Sequence, residues 1–173
     1  VSMKLFGWNC RGICNASTVR ALKAQIKGAR PDLIFLSETK ASISRMEFVK
    51  SSIKFDHLFV VEAKGRAGGL CMLWKDGLSV KVVDFNKNLI AVKIFDTACE
   101  WLLVGFYGPP YPSKKKKAWE NLMALLEAHH GPWMCFGDFN FVLNENEILG
   151  GKKGSSSTNF LKDLMFEVRA IDL

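Results

Sequence analysis

Apolar and polar positions divide the chain into short blocks with two rhythms. Met3 to Asn9 is rich in Leu, Phe and Trp and predicts a buried strand ending at Asn9. Behind a turn at Gly12 and Cys14-Asn15, Val19, Leu22, Ile26 and Ala29 recur at helical spacing, with Ser17 or Thr18 as the expected cap. Arg30-Pro31-Asp32 breaks that helix, and Leu33-Ile34-Phe35-Leu36 is a continuous apolar strand running into Ser37-Glu38-Thr39. The chain therefore opens as a βαβ unit with Asn9 and Glu38 at its two strand ends. Met46, Val49 and Ile53 mark a shorter helix.

Beyond it the period shortens. His57 to Ala63, Leu70 to Lys75, Leu78 to Phe85, Leu89 to Phe95 and Trp101 to Tyr107 are β-rich runs separated by polar turns, and they predict an antiparallel meander. Gly65, Gly68 and Gly69 read as a turn rather than a phosphate loop, since no helix follows them and no Gly-Lys-Ser/Thr signature is present. Helical spacing returns at Trp119, Leu122, Met123 and Leu126. A core strand covers Trp133 to Gly137, and Leu161, Leu164, Met165 and Val168 predict a last helix after a polar loop over Gly150 to Ser157. With no internal repeat and no long linker, residues 1–173 read as one domain. The expected fold is α/β (α+β), a sandwich of two sheets with helices outside.

A length of 173 residues and 49% hydrophobic content suffice for one sizeable core. No apolar run approaches the roughly 18 residues of a membrane span, and no signal peptide opens the sequence, which places the expected location inside the cell. Cys10, Cys14, Cys71, Cys99 and Cys135 are odd in number and mostly sit in apolar runs, as reduced core thiols do. Cys10 and Cys14 lack a second Cys/His pair at zinc spacing. The net charge of +7, from 24 basic and 17 acidic residues, suits a polyanionic partner. Its densest run, Lys114-Lys115-Lys116-Lys117, follows Pro112-Ser113; with Ser113 as cap, four cations occupy a first turn where the helix dipole disfavours them. Either an external anion is useful there or the helix end is simply solvated.

The chemistry concentrates where strands end. In Gly137-Asp138-Phe139-Asn140, strand alternation would put a carboxylate and a carboxamide on one side of the chain, able to orient water and hold an oxyanion. Alone, the same residues make an ordinary turn. Asn9, Glu38 and Tyr107 likewise have plain readings as turn former, helix-start carboxylate and half-buried phenol.

Together, Trp8-Asn9-Cys10-Arg11-Gly12, Ser37-Glu38-Thr39-Lys40, Gly65-Arg66-Ala67-Gly68-Gly69-Leu70, Tyr107-Gly108-Pro109-Pro110 and Gly137-Asp138-Phe139-Asn140 resemble the endonuclease/exonuclease/phosphatase superfamily. They resemble most the apurinic-type endonuclease domain of plant LINE-type (non-LTR) retrotransposons. The resemblance implies a four-layer fold, two mixed sheets flanked by helices, and magnesium-dependent cleavage of phosphodiester bonds in DNA, with manganese as an alternative ion. It implies Glu38 as metal carboxylate and Asn9 as the amide supporting the metal or a phosphate. Tyr107 would hydrogen-bond a phosphate oxygen, Asp138 would orient and deprotonate water, and Asn140 would hold that aspartate or the transition-state oxygens. Arg11, Lys40 and Lys114, Lys115, Lys116 and Lys117 are the candidates for nucleic-acid contact. A reverse transcriptase downstream in the parent polyprotein and a nuclear location follow from the same resemblance.

The resemblance further implies a late Asp segment and a Ser-Asp-His run, and this sequence has neither. Its histidines are His57, His129 and His130. Asp56-His57 copies the pair but comes too early in the chain, and His129 and His130 end the lysine-rich helix, where a cation suits the dipole. The expectation is the N-terminal portion of the domain, incomplete at its C-terminus and weak or inactive as it stands, since losing a transition-state contact costs on the order of 100- to 1,000-fold. Two alternatives stay open: a catalytically silent nucleic-acid-binding relic, and a phosphomonoesterase or phospholipid head-group hydrolase on the same fold.

Overall fold

A computed structural model describes residues 3–141 and 165–166. It divides into two units, Val1–Tyr107 with Gly131–Asp138, and Gly108–His130 with Phe139–Leu173.

In the first unit, the elements are β1 (Leu5–Asn9), α1 (Ala16–Ala29), β2 (Leu33–Ser37), α2 (Ile43–Ile53), β3 (His57–Val61), β4 (Leu70–Trp74), β5 (Ser79–Phe85), β6 (Leu89–Phe95) and β7 (Glu100–Tyr107). A further strand, Trp133–Asp138, is β8; the helix preceding it in the chain, α3 (Pro112–Ala128), belongs to the second unit. One sheet has the order β1-β2-β4-β3 and the other β5-β6-β7-β8. Each is mixed: β1 runs parallel to β2, and β7 to β8, while the remaining neighbours are antiparallel.

The expected meander is thus corrected. Its five strands are shared between two sheets, with β3 and β4 in the first and β5 to β7 in the second. The reason lies in β2 and β4. Both are apolar without alternation and almost wholly buried, so each must be covered on two faces. Pairing β4 with β2 in the middle of a sheet covers them; leaving β4 in a run of hairpins would not.

Alternation along β2 then sorts its side chains between two cores. Ile34 and Leu36, with Cys71 and Leu73 of β4, pack on Val19 and Leu22 of α1 and on Met46, Val49 and Ile53 of α2. Leu33 and Phe35, with Leu70 and Met72, meet Ile90, Val92, Ile94 and Leu103 of the second sheet. Burying each such side chain contributes roughly 1.5–3 kcal/mol.

The helix ends revise the expected caps. Asn15, not Ser17 or Thr18, caps α1: its Oδ1 accepts from the Thr18 amide at 2.7 Å and from both hydroxyls. Ser42 caps α2 through the Arg45 amide. His57 opens β3 as a structural residue, with Nε2 at 2.6 Å from Asp76 Oδ1 and its ring stacked on Trp74.

In the second unit, α3 begins behind Tyr111 with Pro112 in its first turn, and no side chain caps it. Ser113, expected as the cap, lies inside the helix, because proline's fixed φ and missing amide proton suit the very first helical position. Trp119 is buried and packs on Phe139 and Phe141, with ring centroids 5.8 and 5.1 Å away. His129 follows the last helical residue as C-cap. The loop at Gly150–Ser157 lies outside the described residues. So does the last helix, apart from Met165 and Phe166, which are helical. Among the described residues no helix is long and apolar enough to cross a membrane.

Candidate functional site

Parallel pairing decides where the polar residues meet. In β1 and β2 the register sets Asn9 opposite Ser37, so Glu38 follows directly at the same end of the sheet. In β7 and β8 it sets Tyr107 opposite Asp138. Both pairs therefore deliver their chemistry at carboxyl ends of strands, where α/β folds build sites.

Glycines bring these pairs together. A Cβ on Gly105 would run into the Phe35 ring across the seam, and one on Gly137 would meet the Phe106 carbonyl of its own sheet and come within 3.1 Å of the Phe35 ring across the seam. A Cβ on Gly7 would sit 3.3 Å from Phe136. With no side chains at these places, the two sheets touch almost backbone to ring, and Phe35 and Phe136 fill the seam with centroids 5.8 Å apart.

Above the seam, four of the expected residues form one hydrogen-bonded cluster. The Asn9 amide donates to Glu38 Oε1 at 3.1 Å and to Asp138 Oδ2 at 2.8 Å. The Tyr107 hydroxyl donates to the same Glu38 Oε1 at 2.7 Å. Glu38 Oε2 accepts nothing from the described residues. Partial burial alone would push the Glu38 carboxyl up, but the bonds from Tyr107 and Asn9 and the charges of Lys40 and Arg11 outweigh it and hold the group below the usual carboxylate range.

The loops behind Asn9 and Glu38 are fixed by a backbone ladder. Cys10 N donates to Ser37 O, Gly12 N to Glu38 O and Ile13 N to Thr39 O, at 2.7–3.1 Å. On the other side, Thr39 N and Lys40 N donate to Gly69 O and Gly68 O. This ladder holds Arg11, Glu38 and Lys40 at φ of 48°, 52° and 51°, a left-handed conformation that costs on the order of 1 kcal/mol or more for each residue with a side chain. The cost is borne where it aims Glu38 at the cluster and sets Arg11 and Lys40 beside it.

Sequence reading missed three contributors. Arg45 looks like an ordinary helix residue, yet its guanidinium clamps the Ile13 and Cys14 carbonyls at 3.2 and 3.0 Å. The turn at Gly65–Gly69 is a turn, as expected, but it also receives the Thr39 and Lys40 amides. Arg66, carried in the Gly-Arg-Ala-Gly-Gly run, lines an open pocket with Arg11, Gly12, Cys14, Asn15, Lys40 and Gly65. Only that motif signalled it.

Asn140 is described by its own unit. β8 ends at Asp138 and Asn140 has φ 49°, so the alternation expected to align the two does not extend that far. Its amide nitrogen donates to Gly108 O at 2.7 Å, and its carbonyl accepts from Lys115 Nζ at 2.9 Å.

Two mixed sheets thus bring a glutamate, an aspartate, an asparagine and a tyrosine to one end of an α/β fold. The Endonuclease/Exonuclease/phosphatase family matches residues 7–170, and the chain belongs to it. Among solved structures, the chain is similar to the AP endonuclease LMAP from Leishmania major (TM-score 0.74, 16% identity, 98% of this chain and 68% of that one). It is similar to the 3′ phosphatase NExo (D146N) from Neisseria bound to product DNA hairpin (TM-score 0.70, 13% identity, 96% and 71%). It is also similar to the endonuclease domain of TRAS1, a telomere-specific non-LTR retrotransposon (TM-score 0.66, 16% identity, 96% and 72%). Against TDP2 from C. elegans it spans about half that chain, 51%. No curated protein sequence matches.

Proposed function

We propose that this chain is the metal-dependent, phosphodiester-cleaving part of a DNA endonuclease from a plant LINE-type (non-LTR) retroelement. One observation carries the reading: a single amide, Asn9, joins Glu38 to Asp138 across two sheets, with Tyr107 on the same glutamate. The quoted motifs, the TRAS1 domain among similar structures and the net charge of +7 support it.

Enzymes of this family generally depend on a divalent metal. The donor set fits magnesium. Glu38 has a carboxylate oxygen with no hydrogen bond from the described residues, it stays ionised below the usual range, and Asn9 stands beside it. Among the described residues no group of three His, Cys, Asp or Glu could cage an ion, and magnesium characteristically takes one or two carboxylates and keeps its waters. A bound divalent ion would offset charge on the phosphoryl oxygens. Asp138, oriented by the Asn9 amide, takes a proton from water and aligns its oxygen for in-line attack. The single Tyr107 phenolic hydrogen, held by Glu38 in the free protein, turns to a phosphate oxygen when substrate is bound, and Arg11 and Lys40 neutralise flanking phosphates.

The four gathered side chains include no histidine, and His57 is occupied by Asp76. We therefore propose that the chain alone nicks DNA slowly, on the order of 100- to 1,000-fold below an endonuclease with the late histidine. The test is nicking of supercoiled plasmid with magnesium: slow nicking abolished by Asp138→Asn and by Glu38→Gln supports the reading. Phosphate release from a DNA 3′-phosphate without nicking would replace it by a phosphatase. Binding with no hydrolysis of either substrate would replace it by a silent module.

A further inference from the structure

We propose that the start of α3 is a platform for single-stranded nucleic acid, where Tyr111 stacks a base and Lys114 and Lys117, with Lys116 beside them, take phosphates. The proposal concerns the second unit alone, and it rests on the proposed function only in taking a nucleic acid as the polyanion.

The run of four lysines resolves into two kinds. Lys115 is a structural residue: its ammonium donates to Asn140 O at 2.9 Å and lies 4.5 Å from the Phe141 ring centroid. Lys114, Lys116 and Lys117 are exposed. Lys116 has only a loose contact to Glu120, at 3.9 Å between two exposed side chains, a pairing worth little. Lys114 and Lys117 are three apart and neighbours on the helix surface. At its head Tyr111 is 63% exposed, with the Lys114 ammonium 5.4 Å from its ring centroid.

This arrangement is unfavourable for the isolated helix in three independent ways. The first turn holds no acidic residue, and the cations meet the positive end of the dipole. Lys114 and Lys117 repel at a spacing of three. Tyr111, the N-cap, supplies no side-chain bond to a free amide. A polyanion relieves the first two directly. The exposed aromatic beside the cations narrows the polyanion to one with flat apolar faces between its charges, which a single nucleic-acid strand has.

The experiment uses the full chain in EDTA, where no metal-dependent cleavage competes, and measures anisotropy of a labelled oligothymidine across salt concentrations. Tyr111→Ala is expected to weaken binding about 5- to 100-fold with an unchanged salt slope, and Tyr111→Phe to retain affinity. Lys114→Gln with Lys117→Gln is expected to lower the slope of log K against log salt by about 1.4, from about 0.7 per phosphate contact. Lys23→Gln with Lys27→Gln on α1 serves as the charge-matched control and is expected to change neither. Full affinity in Tyr111→Ala overturns the proposal, as does an equal loss in the α1 control. Binding to phosphatidylserine vesicles with none to the oligonucleotide replaces it by a lipid surface. Glu38→Gln separates the two proposals: it is expected to abolish nicking and leave oligonucleotide affinity intact, so either can fail without the other.

Discussion

Tyr107 donates its phenolic hydrogen to Glu38 across the seam between two sheets, at 2.7 Å. One residue ends β7 and the other follows β2, so this bond forms only when both sheets are in place. It also helps keep the carboxyl ionised. A carboxylate whose folded pKa lies below its unfolded one adds stability above the ordinary value of 4.5, and that stability fades as pH falls through the lower folded value. In Tyr107→Phe the Glu38 titration, followed by carbon NMR of the side-chain carboxyl, is expected to move up toward 4.5. The acid limb that Glu38 contributes to thermal stability should shrink and level off at higher pH, because its onset is set by the unfolded value and its end by the folded one.

Asn9→Asp places a third carboxylate against Glu38 and Asp138. The variant is expected to melt below the parent at pH 7, and the gap is expected to narrow by pH 4 as the carboxylates protonate. Paired melting curves at the two pH values check this; a gap independent of pH would mean that Asn9 acts by shape alone.

The seam glycines separate by what they touch. Gly105→Ala meets the Phe35 ring, and overpacking of this kind costs about 1–3 kcal/mol. Gly137→Ala meets the Phe106 backbone and sits at φ 134°, so it should cost more. Phe35→Leu is expected to rescue the first variant in urea denaturation and not the second.

Thr39 is wholly buried and its hydroxyl has no partner among the described residues. Removing an unsatisfied polar group at constant shape is neutral or stabilising. Thr39→Val is therefore expected to hold the urea midpoint or raise stability by up to about 1 kcal/mol, and a loss above 1 kcal/mol would show a bound water or ion at that hydroxyl.

The thiols divide by environment. Burial pushes Cys10 up to about 11 and Cys135 to about 12, and Cys71 further, whereas Cys14 and Cys99 are exposed. Native protein is expected to release colour from Ellman's reagent quickly at two thiols and at all five after denaturation.

Much of this molecule was legible in its sequence because strand ends carry punctuation. Asn9, Glu38, Tyr107 and Asp138 each close an apolar run, and hydrogen bonds join the four. Pairing order was not legible: nothing local in β4 says that its partner is β2, since both are simply apolar throughout, and only layer packing decides. Caps failed for a related reason. Asn15 was hidden by nearby Ser and Thr residues of similar capping propensity, and Tyr111 by Ser113, a better cap by residue type, where Pro112 at the first helical position decided instead. Arg45 carries no local signal, because its work is to hold carbonyls about thirty residues away.

The bare seam at Gly7, Gly105 and Gly137 makes the spacing between Asn9 and Asp138 a property of interior filling. A slide of one layer over the other would be passed to the reactive end by the Phe35 and Phe136 rings that fill the seam. Compression is thus a natural probe: hydrostatic pressure should disturb the acidic cluster well before it unfolds the chain, and the bulk at position 35 should tune how soon.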